Sequence, residues 1–177
     1  QTMEESLGHP WRETFADIEE KPLGSASVAQ VHRARLAQGL GDPVAAGAQE
    51  ERPAAGGNGE GAATAQGPVV AVKVRRPNVV EQMAEDITLI RHALALADLT
   101  HVTDGIMLTL GDLVDELART TAEELDFTVE LGNLERFGAE LASQPHVESP
   151  RPYPAFSTDE VLVMEYVEGA HINDLSA

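Results

Sequence analysis

The sequence predicts an α+β domain: an antiparallel sheet of about five strands with long helices packed against it. Two observations lead there. Residues 69–77 and 160–167 are short runs dominated by β-branched residues, which crowd a helix but pack well on a pleated surface. Between them, apolar residues recur at three- and four-residue spacing over long stretches, the period of an amphipathic helix. Helices layered on one sheet bury both kinds of apolar face around a single core.

Taken in order, residues 1–20 carry Leu7, Trp11, Phe15 and Ile18 at helical spacing and read as a leading amphipathic helix. Residues 21–36 then combine a turn of small residues with alternation of Val31 and Arg33 against His32 and Ala34, so strand, tight loop and strand are expected. From 38 to 67 the composition changes, with eight Gly, eight Ala and two Pro in thirty residues. Such a segment buries too little apolar surface to offset ordering, so it reads as a flexible insertion between the second and third strands. A regulatory or partner-binding loop is the functional alternative.

After Pro77, the residues Val79, Met83, Ile87, Ile90, Leu94 and Ala97 mark one helix. A break at 103–105 precedes a second helical region from about 110 to 141, weakened by Gly132 and Gly138. Four prolines between 144 and 158 enforce extended or turning backbone, with a short strand expected at 146–149. The run at 160–167 is the last strand, so all 177 residues form one domain.

Composition narrows the function classes. With 30 acidic and 12 basic residues the net charge is −18, which argues against general binding to nucleic acid or an anionic membrane surface. The most apolar helical stretch, residues 87–99, is interrupted by Arg91, His92 and Asp98, so no membrane span is expected within the chain. The chain begins at Gln1 without a basic region and apolar segment, so we expect no signal peptide and a piece of a longer protein. There is no cysteine, and the six histidines are scattered without a pair at metal-ligand spacing, so no metal site is expected from them.

Two stretches carry chemistry. In the run at 69–77 strand alternation sends Val70, Val72 and Val74 one way and Val69, Ala71 and Lys73 the other. A lysine mid-strand beside a small residue is how a kinase-type strand presents an ammonium to ATP phosphates; the bland alternative is an exposed lysine guarding an edge strand. The loop Gly24, Ser25, Ala26, Ser27, Val28, Ala29 fits the nucleotide-covering pattern G-x-G-x-x-G-x-V through Val31, with alanine at the second and third glycine positions. Backbone amides can still approach phosphates there, but each Cβ narrows the cleft. An ordinary hairpin turn is the alternative. Glu123, Asp126, Glu130 and Asn133, at i, i+3, i+7 and i+10 of the second helical region, form one polar stripe. Lys73 or a metal ion would relieve its mutual repulsion, and a solvated acidic face is the alternative.

The loop at 22–32, the run at 70–77, the sequence Glu124-Leu125-Asp126-Phe127 with Glu130, and residues 161–169 together closely resemble the amino-terminal lobe of the UbiB family. These are atypical, protein-kinase-like ATP-binding proteins linked to ubiquinone and other isoprenoid lipid metabolism. The resemblance covers nearly the whole chain outside the insertion and implies a protein-kinase-like N-lobe within an incomplete kinase fold. It implies that Lys73 binds phosphate with Glu130 as its ion-pair partner, and that Glu124 and Asp126 form the E-x-D motif. Val31 and Ala71 would sandwich adenine, Met164 would be the gatekeeper, and the backbone of Glu165 to Val167 would be the hinge.

The implied cofactor of the complete protein is ATP with Mg²⁺. Implied partners are the nucleotide and proteins of a lipid pathway, and the implied location is the cytoplasmic face, with any membrane association carried by segments outside these residues. The family's K-x-G-Q segment and a His-x-Asp catalytic loop have no match in this sequence, and Asp126-Phe127-Thr128 lies in a helix before the hinge rather than at a metal-binding DFG. No turnover is therefore expected from these residues alone, since phosphoryl transfer needs groups from both lobes. The alternative function is a non-catalytic, kinase-like interaction module.

Overall fold

The structure, a computed structural model, describes residues 2–40, 67–98 and 104–169. Two short helices, α1 (Thr2–Leu7) and α2 (Trp11–Thr14), lead into β1 (Phe15–Ile18). The single helix suggested over 1–20 is thus replaced. Gly8, at φ 73°, ends α1, and Phe15 turns to extended backbone to pair with Leu36. Sheet pairing wins over the helical period because it takes Phe15 completely out of water.

β2 (Gly24–Ser25) and β3 (Ala29–Leu36) form the strand, tight loop and strand read from the sequence. β1 and β2 line the same edge of β3, whose other edge pairs with β4 (Val69–Arg75), and β5 (Val161–Glu165) completes the order β1-β3-β4-β5. All pairings are antiparallel, with Val31 opposite Lys73 and Lys73 opposite Leu162. Because β1 occupies residues first read as helix, the insertion joins the third and fourth strands in chain order, not the second and third. Most of it, residues 41–66, lies outside the described residues. Where the chain re-enters the sheet, a Cβ on Gly67 would meet the carbonyl oxygens of Leu36 at 2.6 Å and Ala37 at 2.8 Å, so only glycine fits.

Asn78 takes φ 60°, a left-handed conformation that asparagine tolerates, and its carbonyl accepts from Gln82 at the start of α3 (Val79–Asp98). Of the expected break at 103–105, residue 103 lies outside the described residues, while Asp104 and Gly105 already belong to α4 (Asp104–Leu125). The region expected as one helix to 141 is two, because Asp126 is extended (φ −100°, ψ 101°) and caps α5 (Phe127–Leu141). The proposed stripe of Glu123, Asp126, Glu130 and Asn133 is therefore broken, and Glu123 pairs with Arg119 of its own helix at 2.6 Å. No strand forms at 146–149: His146 has φ 70°, and that segment leads instead to an isolated bridge between Pro152 and Met164. β5 ends at Glu165, two residues short of the expected strand.

The sheet has two different faces. On one, Phe15, Ala34, Leu36, Val70, Val72, Tyr153, Val161 and Val163 form the main core, covered by Met3, Leu7 and Trp11 from α1 and α2. On the other, Ala29, Leu162 and Phe127 form a smaller cluster with Leu131 and Leu134 of α5. Helices α3 and α4 pack chiefly against each other as an antiparallel hairpin, tied by Arg91 to Asp115 at 2.7 Å. Among the described residues, no helix is long and apolar enough to cross a membrane.

Candidate functional site

Strand alternation places Lys73 on the thinner face of the sheet, in line with Val31 and Leu162. Its side chain is mostly enclosed, being 23% exposed. The ammonium donates to Glu130 Oε2 at 2.5 Å and lies 4.7 Å from the ring centre of Phe127, which is fully enclosed. One acidic and one aromatic partner thus hold the cation from the α5 side. Among the described residues Glu130 is its one hydrogen-bond acceptor, and an ammonium carries three donors. An ion pair this accessible adds only about 0–1 kcal/mol to stability, so its geometry matters more than its energy.

Glu130 reaches Lys73 because of how α5 begins. The Asp126 carboxylate accepts from the Thr128 backbone N–H at 2.9 Å and from the Thr128 hydroxyl at 2.6 Å, an N-cap that sets the first turn and hence the direction of Glu130. The Thr128 hydroxyl, then its backbone N–H, then the charge of Arg75 hold the Asp126 carboxyl below its ordinary pKa. Phe127 N–H donates to the Asp159 carbonyl at 3.0 Å, fastening the helix start beside β5.

Arg75, two residues after Lys73 and on the same face, locks this junction. Its guanidinium donates to the last carbonyl of α4, Leu125, at 2.7 Å and to Glu160 at 2.5 Å, with Asp159 Oδ2 at 3.7 Å. A cation at a helix C-terminus also complements the helix dipole. The sequence reading assigned Arg75 no role, although the alternation that set Lys73 apart pointed it the same way.

The other residues singled out from the sequence sit as follows. Ala71 lies between Arg33 of β3 and Met164 of β5, so Ala71, Lys73 and Met164 share a face with Val31. Small Ala29 and Ala71 leave this face flatter than the valine face behind it. The turn from Gly24 to Val28 joins β2 to β3 at the edge of the sheet, closed by Ala26 N–H to the Ala29 carbonyl at 2.9 Å, and a Cβ at Gly24 would meet nothing within 4 Å. Arg76 holds that loop through the Ala26 carbonyl at 3.0 Å and Ser25 Oγ at 2.7 Å. Glu165 donates its N–H to the Arg151 carbonyl at 2.8 Å, so that donor of the hinge is already engaged, while Val167 is exposed. Glu124 is exposed on the last turn of α4 and is not joined to Lys73 or Glu130. Trp11 and Tyr153 serve the core, and His32 donates to the Glu19 carbonyl at 2.8 Å; His101 and His171 lie outside the described residues. Among the described residues no three His, Asp or Glu side chains gather as a metal site.

A five-stranded antiparallel sheet, a strand lysine paired with a helix glutamate and a small-residue turn between β2 and β3 fit a protein-kinase-like small lobe. The chain belongs to the ABC1 atypical kinase-like family, whose domain it matches over residues 1–50 and 61–177. It is 36% identical over 176 residues to AarF domain-containing protein kinase 1 of Xenopus tropicalis, covering 98% of this chain and 27% of that protein. It is 29% identical over 175 residues to a probable protein kinase UbiB of Histophilus somni, covering 99% of this chain and 28% of that one. A solved structure, the complex of Rv3197 with erythromycin from Mycobacterium tuberculosis, superposes with a TM-score of 0.69 at 25% identity, over 98% of this chain and 36% of the other. The chain thus spans little more than a quarter of the first two relatives.

Proposed function

We propose that this chain is the ATP-binding lobe of a UbiB-type atypical kinase or ATPase acting in isoprenoid quinone or lipid metabolism. The observation that carries the reading is the 2.5 Å contact between Lys73 and Glu130, made across 57 residues of sequence on the sheet face that carries Val31, Ala71 and Met164. The partly buried lysine stands beside small Ala71 on a face shared with Val31 and Met164, a setting that suits a ligand better than a purely structural pair. The residues suit ATP in kind: Ala71, Val31 and Met164 offer a flat apolar seat for a purine, and the Lys73 ammonium offers donors to phosphate oxygens besides the one given to Glu130.

Bound ATP with its Mg²⁺ supplies the transferable phosphoryl group. Glu130 keeps Lys73 aimed and Asp126 keeps Glu130 aimed, through the cap on α5. The Arg75 clamp ties the end of α4, just before the α5 cap, to Glu160 at the start of β5. The chain's own part is therefore binding and orientation, with the acceptor and the groups of transfer supplied from elsewhere in the longer protein.

The test uses a protein of the relatives' full length. Titration with MgATP should show saturable binding and any ATP hydrolysis should depend on it. Lys73→Ala should weaken both at least tenfold with the fold intact. Equal affinity and hydrolysis in Lys73→Ala and wild type would sink the assignment.

A further inference from the structure

The carboxyl end of β4 carries three cations in four residues, Lys73, Arg75 and Arg76, within a chain of net charge −18. Two of them are neutralised: Lys73 by Glu130, and Arg75 by Glu160 with Asp159 nearby. Arg76 differs. Among the described residues its partners are uncharged, the Ala26 carbonyl and the Ser25 hydroxyl, both in the loop from Gly24 to Ala29. Its backbone N–H donates to a third loop atom, the Val28 carbonyl, at 2.9 Å. The loop is therefore held at three points, Ser25, Ala26 and Val28, by a single residue just past the end of the neighbouring strand.

Gly24 and Ser25 are paired with Val31 and Gln30 of β3, and Val28 rests on the Phe127 cluster, but the turn between them has little of its own to hold it. Residues 24–27 are all exposed, and the backbone bond that closes the turn is Ala26 to Ala29. Without an outside anchor, ordering it over a ligand costs conformational entropy at the moment of binding. The Arg76 fork bears that cost beforehand. Its Nε and Nη2 atoms diverge to two acceptors at once, a geometry a planar guanidinium provides and a lysine ammonium on a single flexible stem does not.

We infer that Arg76 is a positioning residue that pre-orders the small-residue loop over the phosphate end of the site, and so sets preference for a phosphorylated nucleotide over its nucleoside. The inference rests on the nucleotide reading above. Adenine is seated on Val31, Ala71 and Met164, away from the Arg76 contacts, so the nucleoside gains little from a fixed loop. The phosphates lie under it and gain most.

The experiment measures affinity for MgATP and for adenosine, together with amide hydrogen exchange at residues 24–29 without nucleotide, in the full-length protein and its Arg76→Ala, Arg76→Lys and Lys73→Ala variants. Arg76→Ala should bind MgATP about tenfold more weakly, bind adenosine as wild type does, and exchange its loop amides faster. Arg76→Lys should behave like Arg76→Ala, because it keeps the charge and loses the fork. Wild-type MgATP affinity in Arg76→Lys would mean that charge alone acts, and would overturn the inference. So would unchanged affinity in Arg76→Ala, or a parallel loss of MgATP and adenosine binding with a lowered melting temperature, which marks a merely structural role. Failure of the nucleotide reading itself looks different: wild type then binds no MgATP, or Lys73→Ala binds it equally well, and the inference falls with it.

Discussion

The two faces of one sheet divide the work of this lobe. On the sealed face, Phe15, Leu36, Val70, Val72, Val161 and Val163 are entirely out of water beneath α1 and α2. On the other, Ala29 and Ala71 are small, Lys73 is 23% exposed, and among the described residues Phe127 and Leu162 are the large side chains enclosed there. Both faces are drawn from the same strands, since alternate residues of β4 serve one and then the other. Stability is thereby concentrated behind the sheet, where each fully buried large apolar side chain contributes about 1.5–3 kcal/mol, leaving the front free to carry a partly buried cation and little bulk. A polar group on the front costs the core nothing, because it never enters it.

Substitutions can break or sharpen this division. Phe15→Ala, on the sealed face, should cost about 3–5 kcal/mol in denaturant unfolding, since it removes a fully buried ring and leaves a cavity. Gly67→Ala should cost about 1–3 kcal/mol, because its Cβ would press on the Leu36 and Ala37 carbonyls and pry the β3–β4 pairing apart at the mouth of the insertion. Asp126→Ala removes the α5 cap and should cost about 1 kcal/mol. That contribution also has a pH signature. Folding lowers the Asp126 pKa below its ordinary value of 3.8, so the stabilisation is full above that value and fades as pH falls through the lower folded one. Unfolding curves of Asp126→Asn against wild type should therefore converge in acid and separate towards neutrality.

The smallest stability effect should come from the residue with the largest functional one. Lys73→Met should shift stability by less than about 1 kcal/mol in chemical denaturation, because the pair it breaks is partly exposed and the stem remains packed. Should it destabilise the protein as much as Phe15→Ala does, the separation of core face from site face would be wrong.

The residues themselves announced β4 and β5 through their valines, and α3 through its period. Alternation along β4 correctly set Lys73 apart from Val70, Val72 and Val74. The partner of Lys73 was another matter. Periodicity offered an acidic stripe, and the choice of Glu130 came from the family resemblance, because no local pattern links positions 57 residues apart. Phe15 shows the reverse failure: its spacing fits a helix, yet an edge of β3 needed a strand, and burying the ring outweighed the local preference.

What the sequence determined by itself was composition and period: which segments bury a stripe, which alternate, and which small residues can form a close loop. Those are local properties of covalent geometry and side-chain shape. Only the tertiary structure decided that Asp126 ends one helix and starts another, that Arg75 closes α4 against β5, and that Arg76 fastens the loop from Gly24 to Ala29. Each of those outcomes answers a demand that arises only when distant segments meet, namely that helix ends, loop carbonyls and half-buried charges find partners once water is displaced.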